Sequence, residues 1–184
     1  YEVALREFGT LPPGYERVRR ICAWVAKHVE FKSNTTNAST SALDTLSERV
    51  GVCRDFAHLM IALCRALNMP ARFVAGIDYG ADPALGPSDF HAYVEVFLGD
   101  RWYLFDPSST AIPMGLMRFG TGRDAADVSF ATIFGAVRAE PPKIVIEAVS
   151  DPLGGIELPR HRSEALSTDD GSAVLIGARL APLC

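Results

Sequence analysis

Between residues 53 and 67 the chain is apolar on nearly every side of a helical projection, through Phe56, Ala57, Leu59, Met60, Ile61, Ala62, Leu63, Ala66 and Leu67. A helix without a solvated face has to lie at the centre of the molecule, wrapped by other elements. That demand constrains the architecture more than any other stretch, because the rest of the chain must supply the wrapping. Asn68 and Pro70 are its stop signals. With 184 residues, 48% apolar and 22% charged, the chain is long enough to do this as one domain and has no compositional sign of disorder.

The other elements can be placed around that helix. Pro12-Pro13-Gly14 precedes a stretch to about Val29 with Val18, Ile21, Cys22, Val25 and Val29 at one-face helical spacing. Residues 33–39 read as a polar loop, and Ser41-Ala42-Leu43-Asp44 has the form of a capping box opening a short helix that ends near Gly51. After Pro70 the period changes to alternation. Residues 71–79 read as a strand, and 80–89, with two prolines and two glycines, as a surface loop able to overhang a site. Residues 91–98 and 101–106 read as strands joined by Gly99-Asp100, the glycine-first form of a two-residue hairpin turn. Residues 128–137 and 143–149 are expected to pair around Glu140-Pro141-Pro142, 151–171 to be loop, and 173–180 to form a last strand. No internal repeat, low-complexity tract or domain boundary stands out.

The hairpin makes a geometric prediction. If Leu98 opposes Arg101, stepping outward pairs Phe97 with Trp102, Val96 with Tyr103, Glu95 with Leu104, Val94 with Phe105 and Tyr93 with Asp106. Opposed residues share a face, and so do positions two apart on one strand. His91 and Asp106 therefore become diagonal neighbours, roughly 7–8 Å apart at the backbone. A bulge or a three-residue loop reverses the parity and separates them.

At the mouth of the central helix stands Cys53, within Gly51-Val52-Cys53-Arg54-Asp55-Phe56-Ala57-His58. A helix N-terminus, with unpaired N–H groups and partial positive charge, stabilises a thiolate and can cradle an oxyanion. Acyl transfer from an amide needs a nucleophile, a base, a group orienting that base, and donors for the tetrahedral oxyanion. Cys53, His91, Asp106 and the Cys53 backbone N–H can fill those roles in order, through a thioester. Hydrolysis and transamidation would share all of them and differ only in the acceptor.

Plainer readings exist for each residue. Free cysteines are commonly inert, a strand histidine can be satisfied by backbone, and Asp106 before Pro107 can simply begin a turn. Their joint placement favours the chemical reading. His58 lies five residues beyond Cys53, rotated away from the thiol, and suits a structural role. Asp55, in the first helical turn, suits capping or pairing with Arg54. Cys22 and Cys64 fit small buried hydrophobes, and Trp24, Trp102 and Tyr103 fit core or cleft lining. His28 and His161 suggest no partner. A zinc site from Cys53, His91 and Asp106 lacks a convincing fourth ligand, and neither a calcium loop nor a glycine-rich phosphate loop is present. No cofactor is expected.

A formal net charge of −4, with no basic run beyond Arg17-Val18-Arg19-Arg20, offers nothing for nucleic acid or an anionic membrane. Four cysteines without framework or paired Cys-x-x-Cys spacing suit a reducing, cytoplasmic setting. The expected partner is a peptide or protein amide substrate.

The segments 51–57, 89–96 (Asp89-Phe90-His91-Ala92-Tyr93-Val94-Glu95-Val96) and 102–107 (Trp102-Tyr103-Leu104-Phe105-Asp106-Pro107) together resemble the core of the transglutaminase-like superfamily. The likeness is greatest to bacterial members described as candidate cysteine proteases, and it extends to Gly122-Arg123-Asp124-Ala125-Ala126-Asp127-Val128. The resemblance implies an α+β, papain-like core, with an antiparallel sheet packed against a central helix carrying the nucleophile. It places the nucleophile on Cys53, the base on His91 and the orienting acid on Asp106. It further implies that residues 1–184 are a single catalytic domain, the C-terminal portion of a longer protein. There is no room for the flanking β domains of animal transglutaminases. Trp24 is a candidate oxyanion-hole side chain by analogy alone, and Asp124 and Asp127 match a family motif that a salt-bridged turn explains equally well.

Overall fold

The apolar helix is central. In the computed structural model, which describes residues 1–79, 89–112, 115–138, 140, 143–147, 159–160, 165–169 and the backbone of 174–176, helix α4 (Cys53–Ala66) buries Phe56, Ala57, Leu59, Met60, Ile61, Leu63 and Cys64. Asn68 then takes the left-handed conformation, φ 58°, that stops it. Helices α1 (Glu2–Phe8), α2 (Tyr15–His28) and α3 (Ala42–Glu48) pack on α4 from one side. α2 turns Val18, Ile21 and Val25 inward, as their spacing requires. The Ser41 capping box closes as read: Ser41 Oγ accepts the Asp44 N–H at 3.3 Å, and the Asp44 carboxylate accepts the Ser41 N–H at 2.8 Å.

On its other side α4 meets the sheet. The described strands run in the order β6-β3-β4-β5-β7-β8, all antiparallel, with β3 (Ala71–Asp78), β4 (Phe90–Leu98), β5 (Arg101–Phe105), β6 (Leu116–Gly122), β7 (Ala165–Ser167) and β8 (Val174–Ile176). Alternation along β4 divides the core. Ala92, Val94, Val96 and Leu98 join the helices' cluster, whereas Tyr93 packs with Val74, Leu104, Ala111 and Leu166 in a second one. A short parallel pair, β1 (Glu30–Phe31) with β2 (Val50–Gly51), ties the exit of α2 to the entry of α4.

The hairpin register is the one that a two-residue turn dictates, from Leu98–Arg101 outward to Val94–Phe105, with Gly99 at φ 68° supplying the turn. Further along the chain the outcome differs. In place of the expected pair at 128–137 and 143–149, a single 3-10 turn spans Ala125–Val128, and the described residues from 129 to 147 form no strand. The partners expected there are instead β6, earlier in the chain, and β7, which lies within the stretch read as loop. Both are edge-side strands whose pairing is set by contacts far away in sequence, which local alternation does not report. The expected last strand is present as β8. Most of the 80–89 loop, His161 and Cys184 lie outside the described residues. Among the described residues no helix is long and apolar enough to cross a membrane.

Candidate active site

Cys53 is the first residue of α4, half-buried, after an extended Val52. The turn is held from below by Asp55, whose fully buried carboxylate accepts the Val52 N–H at 2.9 Å, the Thr36 hydroxyl at 2.6 Å and the Arg54 guanidinium at 2.9 Å. Arg54 also reaches Thr36 at 3.2 Å. This explains Gly51, since a Cβ there would stand 2.7 Å from the Asp55 Cβ. Gly51 makes room for the carboxylate that fixes the helix mouth, and loop 33–39 is tied down through Thr36. The Cys53 and Arg54 N–H groups have no acceptor among the described residues, so the first turn presents two donors beside the thiol.

The sheet delivers the partners. His91 Nε2 lies 3.3 Å from Asp106 Oδ1, and the Cys53 side chain stands near enough for its charge to act on the ring. Asp106 also accepts the Ser108 hydroxyl at 2.6 Å, the Ser108 N–H at 3.0 Å and the Ala111 N–H at 3.1 Å. It begins a turn, as the plain reading has it, and also meets the imidazole. Burial alone would lower the proton affinity of His91, but the Asp106 and Cys53 hydrogen bonds and charges outweigh it and raise its pKa to about 10. Burial would likewise raise Asp106, and the donors from His91, Ser108 and Ala111 hold it below the ordinary carboxylate value. A cationic imidazole between a carboxylate and a sulfur is the form in which a protonated base can later act as acid.

The remaining candidates take structural places. His58 Nε2 accepts the Ala125 N–H at 3.2 Å, and burial, ahead of the charges around it, lowers its proton affinity. That bond joins α4 to the 122–128 motif, where Asp127 accepts the Arg123 N–H and guanidinium at 2.8 Å and Asp124 caps the 3-10 turn through the Ala126 N–H. Trp24 stacks on His28 with ring centroids 3.9 Å apart and meets Phe8 edge-on. The two line a cleft of about 200 Å³ between α1, α2, α3 and α4, with Arg6 and Arg49 at its edge. Trp24 is two positions from Cys22, nearly the opposite side of α2. Cys22 is the one near Asp106: its thiol donates to the Asp106 carbonyl at 3.5 Å, and burial, then the Asp106 charge, pushes it up to about 12. Cys64 is fully buried, as expected.

Sequence reasoning missed Ser108, the Ala111 N–H, Thr36 and Asp78. The first had a signal, because an aspartate opening a turn commonly accepts the N–H two residues on. The others depend on contacts that cross loops.

A family model of the transglutaminase-like superfamily matches residues 4–107, more than half of the 184. The chain belongs to the transglutaminase-like superfamily. Among solved structures, a candidate cysteine protease from Cytophaga hutchinsonii is 47% identical, with a TM-score of 0.69 over 73% of this chain and 45% of that one. LapG of Legionella pneumophila, 12% identical at a TM-score of 0.50, shares the fold over 69% of this chain and 80% of its own. An uncharacterised protein of Mycobacterium leprae is 32% identical over 58% of this chain and 39% of its own length. One from Mycobacterium tuberculosis is 31% identical over 68% and 45%. This transglutaminase-like chain thus spans less than half the length of these mycobacterial relatives. The α+β, papain-like architecture and the cysteine-dependent character of the family agree with the central helix and sheet described above.

Proposed function

We propose that the chain is a cysteine-dependent amide hydrolase acting on a peptide or isopeptide bond, with Cys53 as nucleophile, His91 as base and acid, and Asp106 as the orienting carboxylate. The observation that carries this reading is the His91 ring 3.3 Å from Asp106, with the Cys53 thiol at the helix mouth near enough for its charge to act on that ring. In the first half-reaction the Cys53 sulfur bonds to the amide carbon and the oxygen becomes an oxyanion held by the Cys53 N–H. On collapse the C–N bond breaks, the His91 proton passes to the departing amine, and a thioester remains. Water then gives a proton to His91 as its oxygen bonds to the thioester carbon, and the C–S bond breaks, releasing the acid and restoring the Cys53 thiolate beside protonated His91. Asp106 keeps one tautomer and one ring orientation throughout.

The test uses a glutamine-containing peptide with and without a primary amine, products being weighed by mass spectrometry. The expected result is ammonia release or peptide cleavage without amine incorporation. An amine adduct would reassign the chain to transamidation with the same residues. Absence of both, together with Cys53 no more reactive toward iodoacetamide than Cys22 or Cys64, would identify a peptide-binding module instead.

A further inference from the structure

His91 lies between two carboxylates, and the proposed mechanism uses only one of them. On the β5 side stands Asp106. On the other, β3 pairs with β4 so that Gly76 is directly opposite His91. Two residues further along β3, on the same face, is Asp78, the diagonal neighbour of His91 in the relation that brings Asp106 near it across the hairpin. Gly76 puts no side chain between them. A Cβ there would meet Leu116 Cδ1 at 2.3 Å and the Met117 carbonyl oxygen at 2.6 Å, so the position admits glycine alone. Asp78 is 6% exposed, and its carboxylate accepts a hydrogen bond from the hydroxyl of Tyr93, which has no exposure at all. The Tyr93 ring in turn meets the His91 ring edge-on, with centroids 4.6 Å apart.

We propose that Asp78, anchored by Tyr93, is a positioning residue for His91: a second buried carboxylate that strengthens the imidazolium and sets the pH at which its proton is lost. The inference rests on the catalytic reading of His91. Among the described residues the charged and titratable groups facing the ring are few. They are Cys53 from α4, Asp106 beyond β5 with the Ser108 hydroxyl, Tyr93 on β4 and Asp78 on β3. Arg118, opposite Gly76 on β6, gives its guanidinium to Glu95. Burial raises the proton affinity of Asp78, while the Tyr93 hydrogen bond and then the His91 charge pull it down. Asp106 holds the ring by direct contact. Asp78 acts through space and through the Tyr93 ring, so its removal should move a titration more than a structure.

Asp78→Asn is the discriminating variant, because its amide oxygen can still accept from the Tyr93 hydroxyl while the charge is gone. Two readings are taken on the same protein: the His91 titration by NMR, and the pH profile of Cys53 alkylation by iodoacetamide. A unit charge at the roughly 7–8 Å of diagonal strand neighbours predicts a downward shift of the His91 midpoint by about one pH unit, with the alkaline limb of the alkylation profile moving alongside it. An unchanged His91 midpoint in a folded variant overturns the inference. Should the amide not be accommodated, Asp78→Ser removes the same charge with less volume and is read the same way. In wild type, Cys53 no more reactive than the other thiols would instead defeat the catalytic reading itself, so the two failures are separable.

Discussion

Two buried clusters of charge sit on one face of β4, four residues apart. At one end His91 faces Asp106 and Cys53. At the other, the fully buried Glu95 is held by Arg72 at 2.6 Å and Arg118 at 2.7 Å and accepts from the Thr168 hydroxyl, while Arg72 lies 3.9 Å above the Trp102 ring. Both clusters neutralise a buried carboxylate. They differ in the neutralising group. Guanidinium groups carry permanent charge in a fixed fork, so the Glu95 cluster ties β3, β4 and β6 together and has no proton to give. An imidazole facing a thiol can release and regain its proton, so the same strand joins a fixed charge cluster to one in which a proton can move.

If that distinction is right, mutations at the two ends separate rate from stability. The largest effect is expected from Cys53→Ala, which should abolish amide turnover and alkylation at this position without a measurable loss in thermal midpoint. Asp106→Asn should lower turnover by about 10²–10⁴-fold, because the base loses its orienting anion. Glu95→Ala should do the reverse, costing about 2–3 kcal/mol in denaturant unfolding with the Cys53 alkylation rate nearly unchanged. That cost is set below the full penalty of a broken buried pair because both arginines keep some access to water. A Glu95 variant that loses reactivity in proportion to stability would dissolve the distinction.

A last expected effect is the pH dependence of folding. His91 has a folded pKa of about 10, above its unfolded value near 6.5, so its contribution is complete below about pH 6.5 and is lost as pH rises toward 10. His58 is lowered instead, so folding loses stability as pH falls through the ordinary histidine value and the Ala125 N–H loses its acceptor. Resistance to urea across pH 5–10 should therefore weaken at both ends, and His91→Asn should flatten the alkaline side alone.

The meeting of His91 on β4 with Asp106 just beyond β5 was legible in the sequence because only Gly99 and Asp100 separate the two strands, and a turn that short fixes register and parity together. The central helix was legible because its apolar residues leave no solvated side. Asp78 was hidden for the opposite reason. Its relation to His91 depends on the register of β3 against β4, and residues 79–89 lie between those strands, long enough to permit either parity. The Arg72–Glu95–Arg118 cluster was hidden likewise, since Arg118 arrives on a strand that local alternation did not announce. The loss of the expected strand pair beyond residue 128 has the same root, because edge pairing is decided by the surface a strand meets rather than by its own composition.

The two-residue corner at Gly99-Asp100 has a consequence for how a chain like this can diverge. Loops elsewhere can lengthen or shorten and merely reshape what the cleft admits. One additional codon at this corner would turn the acid away from the base while every helix stayed in place, leaving a well-formed protein with a silent thiol. Such a lesion would pass any screen for solubility or folding and show itself only when turnover was measured.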